Sequence, residues 1–180
     1  MSLELLNTVF AGATFIVIAI TAVSASIQLR HLRASNQLMA LTTVLNDWQR
    51  PELQAWMRFV RFELPEKLKD PAYVQSLKGA LLDRTKHPGL LLADYFEVVG
   101  CLIKYRLLDK TAYVDSMCGP IVGSYRAILP LLQILRAQVG DSAIYENFEY
   151  LATECQLWIK RHPGGSYPKR FPHFADEQSV

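Results

Sequence analysis

The residues best suited to chemistry in this sequence are six charges set among hydrophobic neighbours: Asp94, Glu97, Arg126, Arg136, Glu146 and Glu149. Asp94 and Glu97 are three apart, as are Glu146 and Glu149, so on a helix each pair shares a face. Two carboxylates facing one guanidinium can act as a general acid and base beside an oriented substrate clamp. The same residues serve equally well as ion pairs that tie helices together, since a buried arginine is very costly unless it is paired. The specific expectation is that Glu97 and Glu149 both meet Arg136. The structural use is preferred, and a small-ligand or catalytic site built on Glu97, Arg136 and Glu149 is the alternative.

Other chemistries lack their residues. No glutamate is followed by a histidine three residues later, so the di-iron pattern of helical bundles is missing. Neither Cys-x-x-Cys nor His-Glu-x-x-His occurs. Phosphate-cradling glycine loops and the Gly-x-Ser-x-Gly nucleophile turn are absent too. No metal or other cofactor is expected. The charge balance of 19 basic against 17 acidic residues, a net of +2, is too mild for a nucleic-acid partner. The cysteines, Cys101, Cys118 and Cys155, are odd in number and far apart. They read as buried, reduced thiols in a cytoplasmic setting rather than a disulfide framework.

The elements that would position the charges are helices throughout. Leu38, Leu41, Leu45 and Trp48 form one stripe, and Leu53, Trp56, Met57, Val60 and Leu64 another that starts from Pro51. Pro65 and the charged stretch to Asp70 read as a loop. Asp70-Pro71 caps a short helix running to about Arg84, and His87-Pro88-Gly89 is a break. Leu92, Tyr95, Phe96, Val99, Leu102, Ile103 and Arg106 make the next stripe. Asp109 caps a further short helix expected to end near Gly119-Pro120. Ile121, Tyr125, Ile128, Leu132, Leu135 and Val139 then mark a helix that Pro130 should kink and Gly140 should stop. Asp141 or Ser142 is expected to start the last helix, whose stripe is Ile144, Phe148, Leu151, Cys155 and Trp158. No strand pattern or internal repeat is visible.

The amino-terminal segment differs in kind. No charge occurs between Leu5 and Leu29, a run of 25 residues, and the dense part from Val9 to Leu29 has 21. A bilayer core needs about 20 helical residues. Arg30, His31 and Arg33 follow directly, whereas Glu4 marks the other flank. Basic flanks stay in the cytoplasm, so the amino terminus should lie outside and the rest inside. A cleaved signal peptide is disfavoured, because there is no basic leader and the apolar run is too long, although Val23-Ser24-Ala25 resembles a cleavage site. A buried soluble helix is disfavoured by a segment apolar on all faces.

The domain organisation that follows is an anchor over residues 1–29, a cytoplasmic helical domain over 30–162 and an extended or disordered tail over 163–180. The fold class is all-α: a transmembrane helix continuing into a cytoplasmic bundle of about five or six helices. In the tail, Tyr167-Pro168-Lys169-Arg170-Phe171-Pro172 mixes aromatic, basic and proline residues. It suits either a partner-binding segment, a contact with the membrane surface or an idle tail.

Three segments carry a family resemblance. The first is Ile27-Gln28-Leu29-Arg30 with Leu32-Arg33-Ala34-Ser35-Asn36. The second is Tyr95-Phe96-Glu97-Val98-Val99-Gly100 with Leu107-Leu108-Asp109. The third is Pro130 and Arg136 with Tyr145-Glu146-Asn147-Phe148-Glu149-Tyr150-Leu151. In this order, over residues 27 to 151, the chain resembles an uncharacterised bacterial family of single-span membrane proteins, a domain of unknown function. Tyr125 departs from the pattern, where a tryptophan is expected nearby. The resemblance implies a membrane-tethered helical domain and brings no activity or catalytic residue. The function expected from all this is a non-enzymatic, membrane-tethered interaction module of the cell inner membrane. Its partners would be the bilayer and either an unknown protein or a second copy. An accessory subunit of a larger membrane complex is the remaining alternative.

Overall fold

The computed structural model describes residues 2–78, 82–168 and 170–171. Among these there is no strand. The elements in order are α1 (Leu3–Trp48), α2 (Pro51–Arg58), a π-turn (Phe59–Glu63), α3 (Leu64–Lys67), α4 (Pro71–Ser76), a 3₁₀ turn (Arg84–Lys86), α5 (Pro88–Lys104), α6 (Lys110–Val139) and α7 (Glu146–Arg161). The chain forms two compact units, Met1–Ala40 and Leu41–Val180.

The first unit is helical, and every residue from 2 to 36 is exposed. Mean hydropathy in the most apolar window of α1 is 2.1, long and apolar enough to cross a membrane. Its hydroxyls are absorbed locally, as expected for polar groups in lipid: Thr14 donates to the Phe10 carbonyl and Thr21 to that of Val17, each at 2.8 Å.

The second unit is a helical bundle in which α7 packs against both α5 and α6. Its centre is aromatic. Phe96 of α5 stacks on Phe148 of α7 with centroids 4.9 Å apart, and Tyr125 of α6 meets Phe148 edge-on at 5.1 Å. Of the predicted stripe of α6, Ile121, Ile128, Leu132 and Leu135 are in the core, Tyr125 is part-buried and Val139, at the last turn, is exposed. His87 is a buried polar exception, with Nε2 3.4 Å from the Ser76 hydroxyl, and burial pushes its imidazole below the ordinary value.

The expected caps form where their chemistry predicts. Asp70 accepts from the Ala72 N–H at 2.9 Å and Asp109 from the Ala112 N–H at 2.7 Å. Gly140 ends α6 in the left-handed conformation at φ 73°.

Four boundaries differ from expectation. Pro65 does not open a loop. It cannot donate to the Arg61 carbonyl, and the helix widens just before it, with the Leu64 N–H reaching back five residues to Phe59. Val60 and Leu64 stay fully buried through this turn. Gly119-Pro120 does not end a helix either, since α6 runs through both Pro120 and Pro130. The carbonyls that these prolines cannot reach with an N–H belong to Ser116 and Arg126, both exposed residues, where solvent can serve as the donor. Breaking the helix would instead cost the register of Tyr113, Met117 and Ile121 in the core. Helix α7 starts at Glu146 rather than at Asp141 or Ser142. Asp141 closes a turn on the Ala143 N–H, and Tyr145 sits in the left-handed region at φ 59°. The short helix expected to reach Arg84 ends at Ser76, with a 3₁₀ turn at Arg84–Lys86. Of the predicted tail, residues 172–180 and Lys169 lie outside the described residues. Ser166 is hydrogen-bonded to Asp115.

Candidate functional site

Five of the six charges singled out in the sequence, all but Arg126, make ties around the amino-terminal end of α7. The reason begins with Tyr145. A residue in the left-handed region cannot turn its own side chain onto the first N–H groups of the helix that follows, and no side-chain cap is supplied from that position. The acceptor comes from α5. Glu97 Oε2 accepts from the Phe148 N–H at 2.8 Å, while Oε1 accepts from the Asn147 N–H at 3.3 Å and from its side-chain amide at 2.7 Å. A carboxylate at the positive end of a helix is also favoured by the dipole.

Close approach makes this reach feasible. A Cβ built on Gly100 would lie 2.1 Å from the Asn147 carbonyl oxygen, so only glycine admits α7 to this distance from α5. One turn further, Lys104 donates to Glu146 at 2.9 Å and to the Asn147 amide oxygen at 3.2 Å. The Glu146 hydrogen bond raises the Lys104 pKa.

Arg136 holds the other side. Its Nε donates to the Ile144 carbonyl at 2.9 Å and its Nη2 to Glu149 at 2.7 Å. Burial opposes its charge, but the hydrogen bond and field of Glu149 outweigh that and leave its pKa raised. Asp94 forms a third tie. It accepts from Arg84 Nε at 2.5 Å and from the Tyr145 hydroxyl at 2.8 Å. Burial, followed by the bond to Asp94, pushes the Tyr145 phenol up. The hydroxyl of Tyr125, buried without a hydrogen-bond partner, lies in the field of Glu149.

The six predicted residues therefore do not form one buried cluster. Glu149 meets Arg136 as expected, but Glu97 does not; it caps α7 instead, because its position on α5 faces the backbone of Asn147 and Phe148. Asp94 and Glu146 have separate basic partners, Arg84 and Lys104. Arg126 is exposed and joins no ion pair among the described residues. The ties are half open to solvent, with the Glu149 side chain 49% exposed against 17% for Arg136. Sequence reasoning missed Arg84, Lys104, Tyr145 and Asn147. A signal for Lys104 was present: Glu97, Gly100 and Lys104 fall at i, i+3 and i+7, one helix face with a glycine at its centre.

Chemically, the arrangement is a set of satisfied acceptors. Each carboxylate is engaged by donors from another element. A separate cleft of about 240 Å³ is lined by Asp47, Arg50, Glu52, Leu53, Trp56 and Tyr95, none of them among the predicted charges. Among the described residues, no group of three or more His, Cys, Asp or Glu is placed to hold a metal ion. Arg30, His31 and Arg33 lie on the exposed part of α1.

Neither the curated proteins nor the solved structures contain a match to this chain. One family model does match, a domain of unknown function, over residues 15–155. That stretch takes in the apolar part of α1 from Phe15 onward, the Glu97–Gly100 face and the start of α7, and on it the chain belongs to the domain-of-unknown-function family DUF4760.

Proposed function

We propose that this protein is a membrane-tethered, non-enzymatic helical interaction module, spanning a bacterial inner membrane once. The observation that carries the reading is α1, whose most apolar window has a mean hydropathy of 2.1 and is wholly unburied. A soluble helix of that composition would cover itself with its own domain. The second apolar helix, α6, has a lower value of 1.3 and turns a large part of that window into the core. We therefore assign the single span to α1.

Orientation rests on the flanks. Arg30, His31 and Arg33 against Glu4 put the amino terminus outside and the helical unit in the cytoplasm. The absence of enzymatic action rests on the helix-end ties, which use the candidate carboxylates and Arg136 to build the bundle. The bacterial setting rests on the family resemblance. Phe62, Val98 and Leu107 are exposed apolar side chains of the helical unit.

Topology is tested by a Ser2→Cys variant and a thiol reagent that cannot cross membranes. Labelling at position 2 in intact cells is expected. Labelling there only after lysis overturns the orientation. Crosslinking in native membranes tests the module itself, and a chain that joins neither a second protein nor a second copy of itself is not an interaction module.

A further inference from the structure

The polar residues of α1 are not scattered. Thr14, Thr21, Gln28 and Ser35 follow one another at intervals of seven, beginning from Asn7. A straight helix has 3.6 residues per turn, so a seven-residue spacing keeps one edge aligned only if the helix supercoils around another. With these residues at position a of a heptad, Ser24 and His31 fall at position d. Of the polar residues between Leu5 and Leu29, Asn7, Thr14, Thr21, Ser24 and Gln28 lie on the a/d seam, and Thr8 and Ser26 lie off it. The Thr14 and Thr21 hydroxyls are satisfied within the helix, whereas a lipid-facing Gln28 carboxamide carries a cost that a helix–helix seam relieves.

Two shallow, open depressions lie along the same register. Concavities on α1 are lined by Leu3, Glu4, Leu6, Asn7 and Phe10, and by Gln28, His31, Leu32 and Ser35. The second set is spaced i, i+3, i+4 and i+7, and the first contains the same spacing in Leu3, Leu6, Asn7 and Phe10. On a helix this spacing outlines a space into which a facing helix can set a knob. Both fall on the seam that the polar residues define, and every lining residue is exposed.

The occupant follows from charge and hydrogen bonding. Arg30 and Arg33 take positions c and f, directed away from the seam, so two identical copies can lie side by side without opposing their guanidinium groups, and His31 alone of the basic flank falls on the seam. Thr14 and Thr21 use their protons on their own helix, whereas the Gln28 carboxamide makes no hydrogen bond to another described residue. A carboxamide is donor and acceptor at once, so it complements itself when a twofold axis brings two copies together. We propose that α1 pairs in parallel with α1 of a second copy of this chain, along the heptad seam centred on Thr21 and Gln28. The pairing rests on the membrane-tether reading and names the partner of that segment.

The test uses the full chain carrying donor or acceptor fluorophores at its amino terminus, reconstituted in phosphatidylcholine–phosphatidylglycerol vesicles over a range of protein-to-lipid ratios. Energy transfer above random proximity is expected. Gln28→Leu should weaken association roughly three- to twentyfold. Ser26→Leu, off the seam, should leave it unchanged. Transfer no greater than random proximity overturns the pairing, as does a Gln28→Leu chain that associates like the parent or a Ser26→Leu chain weakened as much. An alkaline carbonate wash of the same vesicles separates the two failures. Release of the chain overturns the tether itself, whereas retention without transfer overturns only the pairing.

Discussion

Glu97 shows how a single carboxylate comes to define a helix end in another part of the chain. The first N–H groups of α7 have no acceptor in their own helix, and Tyr145, with its left-handed backbone, supplies none. Glu97 closes this gap from α5 with both oxygens. Losing an N-cap costs roughly 0.5–2 kcal/mol, and here two backbone donors and a favourable dipole contact are lost together. Glu97→Ala should therefore lower unfolding free energy by about 2 kcal/mol, read from urea denaturation of the whole chain in detergent by far-ultraviolet circular dichroism. Glu97→Gln keeps one acceptor oxygen and should lose about half as much. Arg126→Ala, at an exposed position outside the ion pairs, should stay within about 0.5 kcal/mol of the parent. Equal losses for Glu97→Ala and Arg126→Ala would remove Glu97 from the role of cap.

At the scale of elements, α5 and α7 meet closely enough that one added methyl matters. A Cβ at Gly100 would fall 2.1 Å from a backbone oxygen, which cannot move aside as a flexible side chain would. Overpacking of this kind costs typically 1–3 kcal/mol. Gly100→Ala should sit at about the upper end, with a lowered melting temperature and a weakened Lys104–Glu146 contact. A melting temperature within error of the parent would mean that α7 slides freely along α5. The element scale also marks how far the sequence could be read. The stripe from Ile121 to Leu135 was legible because burial enforces the helical period directly. The meeting of Arg136 and Glu149 was legible too, since a glycine stop between two patterned helices folds one back on the other. Pro65 and Pro120 were misread because a helix can widen, or give an exposed carbonyl to water, more cheaply than it can lose a packed face. The partners of Asp94, Glu97 and Glu146 were not legible. Spacing along one helix shows which residues share a face and says nothing of which helix that face meets.

For the whole molecule, composition and compactness place their boundaries differently. Apolar composition ends at Leu29, whereas the compact bundle unit begins at Leu41. The end of α1 is therefore part of the bundle. Val44 is only 6% exposed, its carbonyl accepts from the Tyr95 hydroxyl at 3.0 Å, and the Trp48 ring lies 6.4 Å from that of Phe96. Burial pushes the Tyr95 phenol up to about 12. Two truncations follow from this. A chain beginning at Leu41 keeps every one of these contacts and lacks the apolar run, so it should be recovered from the soluble fraction and unfold in one cooperative step. A chain beginning at Pro51 loses the buried Val44, worth roughly 1.5–3 kcal/mol, and leaves the Tyr95 hydroxyl without its acceptor, roughly another 1–3 kcal/mol. Losses of that size are a large part of the stability of a small domain, so this shorter chain should aggregate or melt without cooperativity. Retention of the Leu41 chain in carbonate-washed membranes would move the span to α6, the other helix apolar and long enough to cross.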